Sequence, residues 1–233
     1  MYGEAYQKNM NRQKRKAFGV YYTPRQIVQY ILARTVQQAD VLSNPFCSVL
    51  DPACGAGAFL LDAYDVLYEK FRSALPALRQ TYETQTYTLI SGPDRITMDG
   101  NNYWQERNIH SHLLTYCLFG SDTDQTAVEL TIKYLKEKDL NSNTCPQNVI
   151  ICDSLMQWEA MQQDDSQFLS RFWDRSFDYI VGNPPYIPIT KMSECQKSYY
   201  RSHYPYSAIG RMNTFSLFLE RCIGKFGIQC GLI

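Results

Sequence analysis

The chain has 233 residues, of which 45% are hydrophobic, and its 23 basic residues balance its 23 acidic ones. This length supports one substantial hydrophobic core with appendages rather than two complete domains. A formal net charge of zero argues against a protein that holds nucleic acid chiefly by an overall positive field, so any nucleic-acid surface has to be a local patch.

The N-terminal arm, residues 1–18, is a candidate for such a patch. Its basic side chains lie beside a single acid, Glu4, and they are Lys8, Arg12, Lys14, Arg15 and Lys16. A solvated tail without a binding role is an equally good interpretation of this charge run.

Cysteine spacing and hydropathy describe the class of protein. The eight cysteines show neither the paired spacing of a zinc site nor the density of a disulfide framework. Cys117 and Cys152 stand in apolar runs, as buried and reduced thiols do in cytosolic proteins. Since no apolar run reaches membrane-spanning length and residues 1–16 are polar, we predict a soluble, cytoplasmic protein with no metal and no membrane partner.

The hydrophobic pattern alternates between helix and strand. Thr23 is predicted to cap a helix whose first residue is Pro24 and which runs to about Ala39. Buried strands are predicted at 48–50, 116–119, 149–152 and 177–181, with helices at 58–71 and 125–136 between them. Residues 72–112 lack periodicity and carry turn signals, which predicts an insertion with some helix near its end. Residues 231–233 look like the start of a fifth strand.

Apolar strands separated by helical segments imply parallel crossovers, and therefore an open, mostly parallel, doubly wound α/β sheet with helices on both faces. In such sheets ligands bind beyond the carboxyl ends of the strands. Each predicted strand delivers an acid or an amide to that end, namely Asp51, Asp122, Asp153 and Asn183. We therefore expect the functional site at this edge of the sheet.

A glycine turn, residues 54–57, follows the first strand. Its glycines, Gly55 and Gly57, permit a tight backbone turn and the close approach of a ligand. Alone it is a weak signal, because plain connections also use such turns. It lacks the lysine of a phosphate-binding loop and departs from GxGxxG, so kinase and NTPase functions lose their main support.

The acids at the next two strand ends suit an adenosine ligand. Asp122 can accept hydrogen bonds from both ribose hydroxyls if the insertion loops out of the way. Asp153 can accept from the amino group of a cofactor adenine. An N-cap is an equal alternative for Asp153, since Ser154 and an apolar residue follow it.

The sharpest signal is Asn183-Pro184-Pro185-Tyr186, directly after a buried strand. The two prolines remove two backbone donors and fix the chain, so we expect unpaired, outward carbonyls beside the Asn183 side-chain acceptor. Two acceptors on a planar NH₂ favour the pyramidal geometry that frees its lone pair for attack on a sulfonium methyl group. Tyr186 offers a flat face on which a base can stack.

Five segments in order resemble the N6-adenine DNA methyltransferases, in particular the modification modules of type I and type IIG restriction-modification systems. They are residues 19–24 (GVYYTP), 49–57 (VLDPACGAG), 118–124 (LFGSDTD), 152–155 (CDSL) and 183–186 (NPPY). Their order is that of the group whose target-recognition domain is C-terminal.

The resemblance implies S-adenosyl-L-methionine as cofactor and adenine in double-stranded DNA as substrate. It implies a cofactor-binding set of Tyr22, Thr23, Pro24, Asp51, Pro52, Ala53, Gly55, Gly57, Asp122, Asp153 and Ser154. The turn and the Thr-Pro segment would hold the methionine end, Asp122 the ribose and Asp153 the adenine amino group. Asn183 and the Pro184 carbonyl would accept from the target N6, and Tyr186, with Pro185 before it, would stack on the flipped base.

The same resemblance implies a catalytic domain over residues 19–233 that lacks its last strands and a target-recognition domain. Residues 212–215 (MNTF) depart from the family, which often has an acid before the aromatic residue there. We therefore expect residues 1–233 alone to transfer little methyl to duplex DNA without a C-terminal domain or a specificity subunit.

Other functions remain open. Enzymes that methylate the glutamine amide of release factors use the same Asn-Pro-Pro-Tyr motif, but they usually begin with a small helical domain and lack the Tyr-Thr-Pro opening. A structured-RNA methyltransferase is another alternative, and an inactive fragment that binds only cofactor or a partner is a third.

Overall fold

A computed structural model describes residues 23–156 and 172–233. The predicted basic arm and the predicted cofactor residue Tyr22 lie outside these ranges. The strands are β1 (Val49–Asp51), β2 (Thr86–Ser91), β3 (Asp94–Asp99), β4 (Leu118–Asp122), β5 (Val149–Ile151), β6 (Phe177–Gly182) and β7 (Phe226–Leu232). The α-helices are α1 (Arg25–Arg34), α2 (Ala58–Thr81), α3 (Gly100–Tyr103), α4 (Glu106–His112), α5 (Gln125–Lys136), α6 (Glu194–His203) and α7 (Thr214–Ile223).

A five-stranded sheet in the order β5-β4-β1-β6-β7 forms the centre of the fold. Every pairing between neighbouring strands is parallel, with β1 between β4 and β6. The predicted open α/β sheet is therefore confirmed. The predicted positions of β1, β5, β6 and α5 are correct to within one or two residues.

The two faces of the sheet bury different side chains because successive residues of a strand point to opposite sides. Val49 and Tyr179 belong to a core that also contains the apolar residues of α1 and α2. Leu50 and Ile180 belong to a second core, which Cys222 of α7 completes. Both faces are covered, which explains why residues 49–50 of β1 and 179–181 of β6 read as continuous apolar runs.

Helix α2 ends at Thr81, ten residues beyond its predicted end near Phe71. Leu75 and Leu78 continue its buried stripe through the polar stretch that masks the periodicity. Pro76 lies inside the helix, where proline usually marks an end. The insertion thus begins after Thr81 rather than at about residue 72.

The insertion contains an antiparallel hairpin, β2–β3, followed by α3 and α4. Helix near its end is confirmed. The insertion also contributes residues to the core, although its sequence lacks the periodicity of a core element. Tyr87, Tyr103 and Trp104 are buried. Tyr103 and Trp104 pack against the ring of His112 at the end of α4, and Tyr87 stacks on Tyr103. Stacked and edge-to-face aromatic pairs form this part of the core. They follow no helical or strand periodicity, so the sequence pattern does not predict them.

The ends of two other elements differ from the prediction. Helix α1 ends at Arg34, where the Thr35 hydroxyl donates to the Ile31 carbonyl at 2.8 Å, and a 3₁₀ turn follows over Val36–Gln38. The predicted fifth strand, β7, begins at Phe226 rather than near residue 231. The prediction placed its start too late because glycines and a glutamine interrupt the apolar pattern of the strand. None of the helices in the described ranges is both long and apolar enough to cross a membrane.

Candidate active site

The carboxyl ends of β5, β4, β1 and β6 lie side by side and bring the predicted acids and amide to one edge of the sheet. Asp122 ends β4 and Asp51 ends β1, whereas Asp153 and Asn183 follow β5 and β6 within two residues. Neighbouring parallel strands end on the same side, so the four residues lie at one edge of the sheet.

The glycine turn after β1 is held by side chains from β4 and α5. The Gly55 N–H donates to Asp122 Oδ2 at 2.8 Å, and the Thr131 hydroxyl donates to the Gly55 carbonyl at 2.8 Å. Gly57 has a φ of 85°, and a Cβ there would lie 2.9 Å from Thr131 Oγ1. Thr131 was not predicted as a site residue. Thr131 is fully buried on an amphipathic helix, and no sequence pattern indicated its contact with the turn.

Asp122 is fixed by its bonds to two backbone groups. Besides Gly55, the Asp124 N–H donates to Asp122 Oδ1 at 2.9 Å. Burial raises the pKa of Asp122, and the backbone bonds oppose that effect. Each carboxylate oxygen keeps a second lone pair, so the group can still accept from a ligand.

Asp51 lies beneath the turn with 1% of its surface exposed. Its Oδ1 accepts from the Ala53 N–H at 3.1 Å, and a Cβ on Gly182 would lie 2.6 Å from the same oxygen. Burial raises the pKa of Asp51 to about 8, and the charge of Asp122 adds to this effect. The carboxyl therefore links the glycine turn to the residue that precedes Asn183 and has little surface for a direct ligand contact.

Ser154 is buried and bonded to the backbone. Its hydroxyl donates to the Pro52 carbonyl at 2.6 Å and lies 2.8 Å from the Ser121 hydroxyl. Asp153 is half-buried, burial raises its pKa, and its Oδ1 accepts from the Leu155 N–H at 2.9 Å. Ser154 thus ties the ends of three strands together, and Asp153 caps a turn, not a helix, in the described part of the chain.

Thr23 contacts the Asn-Pro-Pro-Tyr motif instead of capping α1. Asn183 Nδ2 donates to Thr23 Oγ1 at 3.0 Å across 160 positions of sequence. Pro24 is itself the N-cap residue, and its carbonyl accepts from the Ile27 N–H at 2.9 Å. The predicted cap at Thr23 is therefore wrong. The bond occupies the NH₂ end of the Asn183 amide and leaves its oxygen for another donor.

The carbonyls of the motif are not both unpaired, contrary to expectation. The Pro185 carbonyl accepts from the Thr214 hydroxyl, whereas none of the described residues donates to the Pro184 carbonyl. Pro184 is buried and Pro185 half-buried. Within residues 23–156 and 172–233, Asn183 Oδ1 and the Pro184 carbonyl are two acceptors of the motif that receive no hydrogen bond.

Tyr186 is 42% exposed and stacks on Phe215, with ring centroids 4.9 Å apart and an interplanar angle of 10°. Phe215 and Thr214 were not predicted as site residues, although the segment 212–215 was singled out as a departure from the family. The stack covers one face of the Tyr186 ring.

Comparison with known proteins gives consistent matches. The profile of the Eco57I restriction-modification methylase family matches residues 116–232. The type II restriction enzyme and methyltransferase RM.Eco57I of Escherichia coli is 25% identical over 234 residues, which cover 88% of this chain and 21% of that protein. The type I restriction enzyme MjaIX methylase subunit of Methanocaldococcus jannaschii is 26% identical over 171 residues, covering 73% of this chain and 19% of that subunit.

The fold also matches a solved structure, that of the DrdV–DNA complex. The TM-score is 0.57 at 14% sequence identity, and the match covers 95% of this chain and 21% of that one. At this identity the likeness establishes the fold alone. The chain spans about a fifth of the length of the curated relatives it matches.

Proposed function

The chain belongs to the Eco57I restriction-modification methylase family, and on that premise we propose that it transfers a methyl group from S-adenosyl-L-methionine to N6 of adenine in DNA. The observation that carries the proposal is the acceptor pair of Asn183 Oδ1 and the Pro184 carbonyl, next to an exposed tyrosine ring and beside three carboxyl groups.

The residues at the strand ends suit this cofactor. Space is open around Gly55, where a Cβ would meet no atom within 4 Å, so a ligand can approach the backbone of the turn. We propose that Asp122 binds the ribose hydroxyls, that Asp153 binds the adenine amino group, and that the turn with Thr23 and Pro24 lies at the methionine end. S-adenosyl-L-methionine would supply an electrophilic methyl group on a sulfonium cation. Its positive charge suits an edge lined by carboxyl groups.

The catalytic role falls to the motif after β6. A purine amino group is a poor nucleophile because its lone pair is conjugated with the ring. Hydrogen bonds from its two N–H groups to Asn183 Oδ1 and to the Pro184 carbonyl favour the pyramidal form of the amino group. Tyr186 would hold the base by stacking, a contact worth about 1–3 kcal/mol per base.

Double-stranded DNA is the proposed partner. The solved relative named above is a DNA complex, and the curated relatives are several times longer than this chain. We propose that a further domain or a specificity subunit reads the target sequence, because base-edge contacts need an element in a groove.

The experiment supplies tritiated S-adenosyl-L-methionine with single-stranded and duplex oligonucleotides, followed by nucleoside analysis. Single strands remove the cost of extracting the base, a few kcal/mol in duplex. N6-methyladenine is the expected product. A methylated cytosine, or a methylated release-factor glutamine in a parallel reaction, would contradict the adenine assignment.

The variant Asn183→Ala tests the acceptor role. We expect it to lower methyl transfer at least a hundredfold while the cofactor Kd, measured by calorimetry, changes less than threefold. Asn101→Ala is the matched control, because Asn101 is an exposed asparagine of the insertion. Equal loss of cofactor binding and transfer in Asn183→Ala would mean that Asn183 holds the cofactor and not the target amine.

A further inference from the structure

We propose that Thr214 is a positioning residue that fixes Tyr186 for base stacking, and that the base stacks on the ring face opposite Phe215. The inference rests on the proposed methyl transfer to a base, and it assigns the part of the site that sets the position of that base.

Thr214 makes hydrogen bonds to the residue before and the residue after Tyr186. Its hydroxyl donates to the Pro185 carbonyl and accepts from the Ile187 N–H at 2.9 Å. Its own N–H donates to the Ile187 carbonyl at 3.0 Å. One buried side chain therefore determines the path of the backbone that carries the Tyr186 ring.

Thr214, which makes these hydrogen bonds, belongs to a regular helix. Thr214 is the first residue of α7, and Asn213 caps that helix by accepting from the Ser216 N–H at 3.0 Å. Leu217 and Phe218 of the same helix are buried. The position of Tyr186 is thus set by a packed helix and not by the proline-containing loop alone, as precise placement of a reacting group requires.

Phe215 decides which face of the tyrosine is available. Its ring lies nearly parallel to that of Tyr186 at 4.9 Å, a stacking distance that leaves no room for a base between them. Stacking on Tyr186, a residue with 42% of its surface exposed, is therefore left to the opposite face of the ring. Thr214 and Phe215 thereby act on the same residue, one through its backbone and the other through its ring.

The test compares Thr214→Val, which keeps the shape and loses the hydroxyl, with Thr214→Ser, which keeps the hydroxyl. Thr86→Val on the exposed edge of β2 is the matched control. A single strand that carries 2-aminopurine reports stacking on Tyr186 by fluorescence quenching, and a single strand that carries adenine reports kcat and KM of methyl transfer.

We expect Thr214→Val to lose most of the quenching and to lower kcat at least tenfold, with the cofactor Kd within threefold of wild type. Thr214→Ser should recover both signals to within threefold. Wild-type quenching in Thr214→Val, or no recovery in Thr214→Ser, overturns the inference. If Thr214→Val does not bind cofactor and so has not folded, Thr214→Ala takes its place in the same comparison.

The two proposals fail differently. Absence of N6-methyladenine from the wild-type reaction contradicts the proposed function. The quenching does not require methyl transfer, so it still decides the role of Thr214 in that case. For the face assignment, Phe215→Leu should leave quenching within twofold of wild type, whereas stronger quenching would mean that the base stacks where Phe215 lies.

Discussion

Asp51 is a carboxyl group that the fold withdraws from water beside a second carboxyl. Its folded pKa of about 8 lies above the value of 3.8 that applies to an ordinary aspartate. Protonation therefore favours the folded state, and this contribution to stability is complete below about pH 3.8 and is lost as the pH rises to about 8. Near neutral pH the residue opposes folding.

We expect Asp51→Asn to stabilise the protein at pH 7.5 by up to about 5 kcal/mol, because it replaces the group that resists ionisation by a neutral one. At pH 4 the variant and the wild type should be nearly equal. Urea unfolding at both pH values measures the difference, and Asp94→Asn, at an exposed aspartate of β3, is the control. A destabilised variant at pH 7.5 would mean that Asp51 is ionised in the fold.

The sequence identifies the residues at strand ends and not the residues that hold them. Asp51, Asp122 and Asn183 follow apolar runs, and parallel strands bring such positions together in any order of the sheet. Thr131 and Thr214 act through hydroxyl bonds to backbone groups 76 and 29 positions away, respectively. A hydroxyl has no pattern that names its partner, so these two contacts required the structure.

At the scale of elements, the insertion after α2 joins the core through His112. The Tyr103 hydroxyl lies 2.7 Å from His112 Nδ1, and His112 Nε2 lies 2.6 Å from the Pro45 carbonyl. A carbonyl only accepts, so Nε2 carries the proton and Nδ1 accepts from the tyrosine. Burial lowers the pKa of His112 to about 4, so the ring is neutral in the fold.

This arrangement predicts acid sensitivity. Above about pH 6.5 the ring is neutral in both states; below it the unfolded chain binds a proton that the folded ring resists. We expect the free energy of unfolding to fall by about 3 kcal/mol between pH 6.5 and pH 4 on account of His112. His112→Asn should flatten this part of the profile, and His203→Asn, at an exposed histidine of α6, should not. Parallel profiles for both variants would contradict the assignment.

The ends of helices could be predicted where capping residues mark them. They could not be predicted where tertiary packing extends a helix through residues that usually end one. Helix α5 begins after Asp124, whose side chain accepts from the Ala127 N–H, and it matches its predicted range of 125–136. Helix α2 passes through a polar stretch and Pro76 because Leu75 and Leu78 remain buried. The buried stripe of this part of α2 is narrower than the apolar stripe by which an amphipathic helix is predicted, so the sequence pattern does not indicate it.

At the scale of the whole molecule, one sheet carries both the core and the candidate site. Ligand contacts at the ends of its central strands should therefore stabilise the described domain as one unit. S-adenosyl-L-methionine at about a hundred times its Kd contributes about 2.7 kcal/mol, which corresponds to a rise in Tm of roughly 5–10 °C for a domain of this size.

We expect this rise in a single thermal transition, with EDTA present. Asp122→Ala should lose most of it at the same ligand concentration, because a hydrogen bond to a charged group is worth about 1.5–3 kcal/mol. Differential scanning calorimetry measures both proteins with and without ligand. An equal shift in Asp122→Ala would mean that Asp122 does not bind the cofactor. A shift that disappears with EDTA would mean that binding needs a metal ion.

The close approach of Gly182 to Asp51 has a consequence for sequence variation among homologues. An added methyl group at 182 would stand 2.6 Å from the Asp51 oxygen, so alanine fits only if residue 51 becomes smaller or moves. Homologues should therefore keep glycine at 182, because a shorter residue at 51 relieves the contact but not the strain that a φ of 159° places on any L residue. In a saturation library of the present chain, Gly182 should tolerate no substitution, and a shorter residue at position 51 should rescue alanine at most in part.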